Sequence, residues 1–115
     1  MPKSSAEQRG LFPGALEMMI LRTLRRGPLH GYAIAQEIRQ RSEDLLRVEE
    51  GTLYPALQRL LREGWVEGEW GLSATNRKVR TYRVTAAGRK QLEREVSSFE
   101  RMLDGIRRVM RTSES

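Results

Sequence analysis

The pattern of hydrophobic and polar residues is most regular between Val48 and Val66, where it predicts one helix. Apolar residues recur at i, i+4, i+7 and i+8, with Ala56 on the flank of this stripe. The stripe consists of Leu53, Leu57, Leu60 and Leu61. The opposite face carries Pro55, Gln58, Arg59 and Arg62. The predicted helix therefore has one face that can pack on a core and one that offers polar groups outward.

Both ends of this helix have characteristic residues. Gly51 and Thr52 are typical of a helix start, and Pro55 fits the first turn because early N–H groups have no helical partner. Gly64 predicts the end. Two interpretations of the polar face stay open: an ordinary solvated helix, or a helix that offers base-contacting and phosphate-binding groups.

Two more helices are predicted before this one. Pro13 and Gly14 open the first, which runs to about Arg26 and has a broad apolar belt. The belt comprises Ala15, Leu16, Met18, Met19, Ile20, Leu21, Thr23 and Leu24. The second helix begins near Gly31, and its inward residues are Ile34, Ala35 and Ile38. A turn is expected somewhere in 42–49, because the third helix must start afresh.

Two alternating segments after Gly64 predict a β-hairpin. They span residues 65–70 and 79–84, and the polar loop Leu72–Lys78 between them has a basic end. Three helices followed by a basic hairpin is the element order of a winged helix-turn-helix. The predicted fold class is therefore mainly α, of the α+β type, with one more helix at the C-terminus.

The final helix carries a heptad pattern. Thr85 is suited to cap it, and Gly88 is expected to be an early weak point. Apolar residues then follow at steps of four, three, four, three and four. They form the C-terminal seam: Leu92, Val96, Phe99, Leu103, Ile106 and Met110. Such a seam predicts self-association, since three short helices and a hairpin cannot cover it. A helix folded back on its own domain is the alternative.

Composition narrows the class of partner and excludes several chemistries. The 115 residues suffice for one domain, and 21 Lys and Arg against 15 Asp and Glu give a net charge of +6. A pI near 10.5 favours a polyanionic partner such as nucleic acid. With no cysteine and one histidine, neither disulfides nor a zinc site is expected, and no cofactor is implied. No nucleophile–base pair or glycine-rich phosphate loop is present, so the prediction is a non-enzyme.

The sequence is also expected to contain neither a membrane span nor a secretory signal. No apolar run approaches the ~18 residues of a membrane span, and Met1–Gly10 lacks the apolar centre of a secretory signal. These features predict a soluble, cytoplasmic protein with no membrane partner. Residues 1–12 are polar and without periodicity, which predicts a flexible N-terminal arm.

Several short motifs resemble the PadR family of bacterial transcriptional regulators. They are Pro28-Leu-His-Gly-Tyr-Ala-Ile, Gly51-Thr-Leu-Tyr-Pro-Ala-Leu, Leu60-Leu-Arg-Glu-Gly-Trp-Val, Arg80-Thr-Tyr-Arg-Val-Thr and Gly88. The resemblance covers about Leu16–Leu92. It implies a winged-helix DNA-binding domain at 13–84, and a dimerisation helix with a short tail at 85–115, as in the short subfamily. It further implies a dimeric repressor on a near-palindromic operator, released by an effector.

The residues expected to contact DNA lie on the second and third helices and on the hairpin. They are Tyr32, Thr52, Tyr54, Pro55, Gln58, Arg59, Arg62, Arg77, Lys78 and Arg80. Gln58 suits adenine, whereas Arg59 suits guanine or phosphate. Arg62 is expected to meet phosphate or solvent. Tyr32 and Tyr54 resemble family positions near the DNA backbone, yet each is equally suited to half-buried packing. A solvated hairpin is the alternative for the basic residues there.

The remaining candidates concern the subunit interface and a ligand. Leu16 and Met19 are assigned to the dimer interface together with the C-terminal seam. A small hydrophobic or aromatic effector would be bordered by Met18, Leu21, Phe99, Met102 and Leu103, unless these residues simply fill that interface. His30 is expected to be a cap or turn residue. Trp65 and Trp70 are assigned to core and hairpin packing, with a ligand pocket as the alternative.

Two functions of other classes compete with sequence-specific DNA binding. One is a winged-helix adaptor whose basic surface docks an acidic protein, and the other is structural DNA binding without sequence choice. Steep salt dependence combined with a preferred DNA sequence separates the main hypothesis from both.

Overall fold

A computed structural model describes residues 14–111. This part of the chain contains four α-helices and one three-stranded sheet, which confirms the predicted α+β winged-helix class. The elements are α1 (Ala15–Leu24), β1 (Leu29–His30), α2 (Gly31–Arg41), α3 (Glu50–Arg62), β2 (Val66–Leu72), β3 (Lys78–Val84) and α4 (Ala86–Met110). The N-terminal arm predicted at 1–12 lies outside the described residues, as does Pro13.

The core forms where the apolar faces of the first three helices meet. Its fully buried side chains include Ile20, Leu21, Ile34, Leu53, Leu57 and Leu60. Burying an aliphatic side chain of this size contributes about 1.5–3 kcal/mol, so this cluster dominates the stability of the domain. The buried stripe of α3 contains Ala56, whereas Leu61 is only partly buried.

The sheet closes the core on one side and has the strand order β1-β3-β2. The β2–β3 hairpin, here called the wing, is antiparallel from Val66↔Val84 to Leu72↔Lys78. Alternation turns Tyr82 and Val84 of β3 into the core. β1 pairs with the other edge of β3 at Leu29↔Tyr82. The sequence pattern does not predict β1, because two residues cannot show an alternation.

The helix α3 starts earlier than the sequence pattern predicts. The helix begins at Glu50, and Glu49 occupies the N-cap position without a side-chain cap. Pro55 is therefore the sixth helical residue and not part of the first turn. Since proline has no N–H, the Gly51 carbonyl loses the donor that position 55 would supply in a regular helix. Gly51 is exposed, so water can solvate this carbonyl. Gly64, with a φ of 77°, lies just past the helix end as predicted.

The turn between α2 and α3 contains two residues with left-handed backbone. Glu43 has a φ of 53° and Asp44 a φ of 69°, which residues other than glycine rarely adopt. Ser42 Oγ accepts a hydrogen bond from the Leu46 N–H at 3.0 Å. Arg39 Nε donates to Asp44 Oδ1 at 2.6 Å, which raises the pKa of Arg39 and lowers that of Asp44. These side-chain contacts stabilise the left-handed backbone conformation of the turn.

The end of α3 is joined to the start of α4 by hydrogen bonds, and we call this region the α3–α4 junction (Gly64, Trp65, Thr85 and Gly88). Thr85 Oγ1 donates to the Gly64 carbonyl at 2.7 Å and accepts from the Gly88 N–H at 3.0 Å. The Thr85 N–H donates to the Trp65 carbonyl at 3.0 Å. A Cβ on Gly88 would overlap that carbonyl oxygen. The prediction of Thr85 as a cap is confirmed, and the close packing at Gly88 explains why this helix contains a glycine there.

Burial decreases along the C-terminal seam. Leu92 is 2% exposed and belongs to the core, whereas Ile106 is 37% and Met110 70% exposed. α1 packs against the first part of α4, and the described molecule is 62 Å long because the helix continues beyond it. Leu16 is likewise buried in the core, so Leu16 and Leu92, assigned above to the dimer interface, pack within the chain itself.

None of the helices between residues 14 and 111 is long and apolar enough to cross a membrane.

Candidate nucleic-acid interface

The exposed face of α3 lies opposite its buried leucines. Pro55, Gln58 and Arg62 are all exposed there. Gln58 and Arg62 can therefore offer an amide and a guanidinium to base edges or phosphates. Thr52 is half-buried beside this face, and Tyr54, which is 38% exposed, lies on its flank.

Arg59 lies at the edge of the same face and forms an ion pair with α1. Its Nε and Nη2 donate to Glu17 Oε2 at 2.8 and 2.5 Å. The Arg59 side chain is 50% exposed and that of Glu17 only 20%. The guanidinium expected to contact DNA is thus held toward α1. No local pattern could show this contact, because 42 residues separate its partners.

The wing carries two cations next to one indole. Lys78 Nζ lies 5.3 Å and Arg80 Cζ 5.7 Å from the centroid of the Trp70 ring. Both distances fall within the range of cation–π attraction. Trp70 and Arg80 are also direct cross-strand partners, and Trp70 remains 58% exposed. Trp70 thus packs within the wing, as predicted, and both cations lie against its indole ring.

Arg80 is the less exposed of these two cations. Its Cζ also lies 5.8 Å from the centroid of the Tyr82 ring. A Cβ on Gly68 would lie 2.5 Å from Arg80 Nε, so the glycine leaves room for the guanidinium. That Nε is buried and has no hydrogen-bond partner within the described part of the chain. Burial raises the pKa of the Tyr82 phenol, and the nearby Arg80 charge opposes this shift.

A cleft of about 440 Å³, the wing cleft, separates α3 from the wing. Its polar and aromatic lining includes Tyr32, Tyr54, Gln58, Trp70, Lys78 and Arg80. The start of α2 forms its floor, where His30 Nδ1 accepts from the Ala33 N–H at 3.4 Å; the predicted cap is confirmed. A Cβ on Gly31 would lie 2.6 Å from Tyr54 Oη, so the glycine lets the phenol approach α2 closely. The phenols of Tyr32, Tyr54 and the mostly buried Tyr82 line this cleft together with two cations, which suits an anionic chain such as a nucleic-acid backbone.

A second cleft, of about 410 Å³, runs along α2 beside the turn at 42–49. Its charged lining residues are Arg39, Asp44, Arg47 and Glu49. Since two cations face two carboxylates, this cleft has no net attraction for an anion.

Three of the five residues assigned to an effector site border one small cleft. Met18, Phe99 and Met102 border a cleft of about 30 Å³, which is room for about one water molecule. Leu21 is fully buried in the core, away from this cleft, and Leu103 is half-buried further along α4. The described residues 14–111 contain no group of three or more His, Cys, Asp or Glu that could hold a metal ion.

Two comparisons of the sequence with known proteins give matches over most of the chain. The profile of the Transcriptional regulator PadR-like family matches residues 20–94. The chain is also 33% identical over 86 residues to an uncharacterized protein of Lysinibacillus sphaericus. That match covers 75% of this chain and 79% of the relative.

Solved structures agree with the fold. A PadR family transcriptional regulator from Eggerthella lenta superposes with a TM-score of 0.79 at 28% identity, covering 95% of this chain and 93% of that one. Bacillus subtilis PadR in complex with operator DNA superposes with a TM-score of 0.64 at 26% identity. The latter match covers 70% of this chain and 47% of that protein, so the chain spans about half of its length.

Proposed function

Because this chain belongs to the PadR-like family of transcriptional regulators, as its motifs indicated, we propose that it is a sequence-specific, homodimeric DNA-binding repressor. One observation carries the proposal: the exposed face of α3 and the cations of the wing border the same cleft. Gln58 of α3 lines it together with Lys78 and Arg80 of the wing. A single DNA strand can therefore meet a base-contacting helix and a phosphate-contacting hairpin at once.

In the proposed complex, α3 enters the major groove and the wing follows the adjacent backbone or minor groove. Gln58 can pair with the donor and acceptor of an adenine edge. The strand between the two grooves crosses the wing cleft, where Lys78, Arg80 and the exposed phenols of Tyr32 and Tyr54 bind phosphate oxygens. Arg77, exposed at the base of the wing loop, adds a further positive charge.

Dimerisation through α4 completes the proposed site. The later part of the C-terminal seam is exposed at Ile106 and Met110, and a second copy of the helix would cover it. Two recognition helices then meet successive major grooves, about 34 Å apart, of a near-palindromic operator. Bound there, the dimer would exclude other proteins from the operator, which is the repression proposed.

Release by a hydrophobic or aromatic effector is part of the proposal, and it requires the dimer. The cleft at Met18, Phe99 and Met102 is too small for such a compound in one chain. A second subunit would have to supply the remaining walls. Planar aromatic compounds titrated against the DNA-bound protein should release the DNA. If none of a broad set does so, Met18 and its neighbours only fill the interface.

Selection of bound sequences from a random DNA pool tests the DNA-binding proposal. We expect a near-palindromic sequence. Gln58→Ala should then blur the base preference, whereas Lys78→Ala should weaken all sequences alike and lower the salt slope by about one. A pool without sequence preference would instead support structural DNA binding. Absence of any DNA binding, with capture of an acidic protein, would support the adaptor.

A further inference from the structure

The ion pair between Glu17 and Arg59 links the recognition helix to α1. Both Nε and Nη2 of Arg59 donate to one carboxylate oxygen, Glu17 Oε2. Glu17 lies in the first turn of α1 and its side chain is mostly buried, so the carboxylate has little freedom to move away. Arg59 is the more exposed partner.

Stability accounts for only part of this contact. Exposed ion pairs commonly contribute between about 0 and 1 kcal/mol, and a half-exposed arginine gains little from one. A carboxylate beside a DNA-binding surface also repels phosphates. Glu17 therefore lowers the attraction of α3 for any DNA backbone, whatever its sequence.

The geometry leaves a defined part of the guanidinium available. Arginine has five N–H donors in one plane, and the pair occupies Nε and one N–H of Nη2. The two N–H groups of Nη1 and the second N–H of Nη2 remain, and they form the end of the planar group. Two parallel donors at that end match the O6 and N7 acceptors of guanine. A free arginine would reach phosphates instead, since phosphates are the strongest nearby anions.

We propose that Glu17 is a specificity-determining residue, which neutralises and orients Arg59 so that its guanidinium contacts a guanine edge and not a phosphate. The inference rests on the proposed DNA-binding function. Glu17 does not touch DNA in this arrangement, so it acts as a positioning residue through Arg59.

Glu17→Gln tests the inference, because it keeps the size of the side chain and removes the charge. Affinities are measured for the selected operator and for a random duplex over a range of salt concentrations. We expect tighter binding to the random duplex, a salt slope steeper by about one, and a fall of about tenfold in the operator-to-random affinity ratio. Selection with the variant should also lose one guanine position of the operator.

Two matched variants separate positioning from general charge. Glu63→Gln removes the same charge from an exposed residue just past the end of α3, and it should strengthen both DNA affinities equally. In an Arg59→Ala background, Glu17→Gln should leave the affinity ratio unchanged. The inference is overturned if Glu17→Gln shifts both affinities by one factor, or if Glu63→Gln lowers the ratio to the same extent.

Failure of the proposed function would give a different result from failure of this inference. In that case the wild-type protein itself would select no preferred sequence from the random DNA pool. If the wild type selects an operator and Glu17→Gln keeps both the ratio and the guanine position, only the role of Glu17 is rejected.

Discussion

Tyr82 is a residue whose burial affects its acid–base chemistry. Its ring is 4% exposed, and burial raises the pKa of the phenol above its ordinary value of about 10. In the folded protein the Tyr82 phenol therefore keeps its proton at a pH at which the same phenol has already lost it in the unfolded chain. This stabilisation is fully present below about pH 10 and is lost as the pH rises through the folded pKa.

The sign of this shift gives a prediction. The free energy of unfolding of the wild type should fall more steeply between about pH 10 and 12 than that of Tyr82→Phe, which cannot ionise. Urea denaturation at a series of pH values measures the difference. The reference is pH 8, at which both the Tyr82 phenol of the wild type and the phenyl ring of Tyr82→Phe are uncharged. Parallel curves for the two proteins over the whole range would show that ionisation of Tyr82 does not limit alkaline stability.

Residue-scale contacts were only partly accessible from the sequence. The helix cap at His30 follows from its place before a helix, because capping is a local interaction. The pairing of Glu17 with Arg59 has no local sign, since it depends on how α1 crosses α3. The stacking of Lys78 on Trp70 similarly requires the register of the hairpin, which alternation alone does not define.

At the scale of elements, the α3–α4 junction sets a strict steric limit. Gly88 and Gly105 both lie inside α4, yet only Gly88 faces a neighbouring backbone, while a Cβ on Gly105 would meet open space. Gly88→Ala should lower the free energy of unfolding by about 1–3 kcal/mol through overpacking. Gly105→Ala should raise it by about 0.5–1 kcal/mol, because alanine is the better helix former.

Denaturant titrations of both variants measure this contrast. Gly105→Ala serves as the matched control, since it is the same substitution in the same helix. Equal effects of the two changes would mean that the junction can open around an added methyl group, and that Gly88 is an ordinary helical glycine.

The positions of the helices followed from periodicity because each buries one continuous apolar face. The sequence pattern places the start of α3 one residue too late, since Glu49 occupies the N-cap position without a side-chain cap. The turn at 42–49 gave a weak signal, because Glu43 and Asp44 adopt left-handed backbone that is usually assigned to glycine or asparagine. Hydrogen bonds to Ser42 and Arg39 stabilise this conformation where composition did not indicate it.

At the scale of the whole molecule, the exposed end of α4 leads to a prediction about assembly. Ile106→Glu should yield monomers, because it would place a charge in the apolar contact between two copies of the helix. Ile106 suits the test better than half-buried Phe99, since it is 37% exposed and its replacement should leave the fold of one chain intact. Sedimentation velocity at tens of micromolar measures the mass.

Ser97→Glu is the control for this substitution, because it adds the same charge on the opposite, exposed face of α4. It should leave the dimer intact. A wild type that sediments as a monomer, or a dimer that survives Ile106→Glu, would contradict assembly through the seam. The length of the seam predicts a second copy, but the sequence does not predict how two copies would cross, since that depends on the surfaces of both.

The α3–α4 junction also has a mechanical consequence. Because hydrogen bonds from Thr85 to the Gly64 and Trp65 carbonyls join the two helices, α4 acts as a lever whose fulcrum lies beside the end of α3. With 25 residues, its arm is about 37 Å long. A displacement of about 1 Å at the Met110 end turns the lever by only about 1.5°, but the same displacement one turn from the fulcrum turns it by about 10°. A displacement close to the junction therefore changes the direction of α4 far more than a displacement of the same size at its tip.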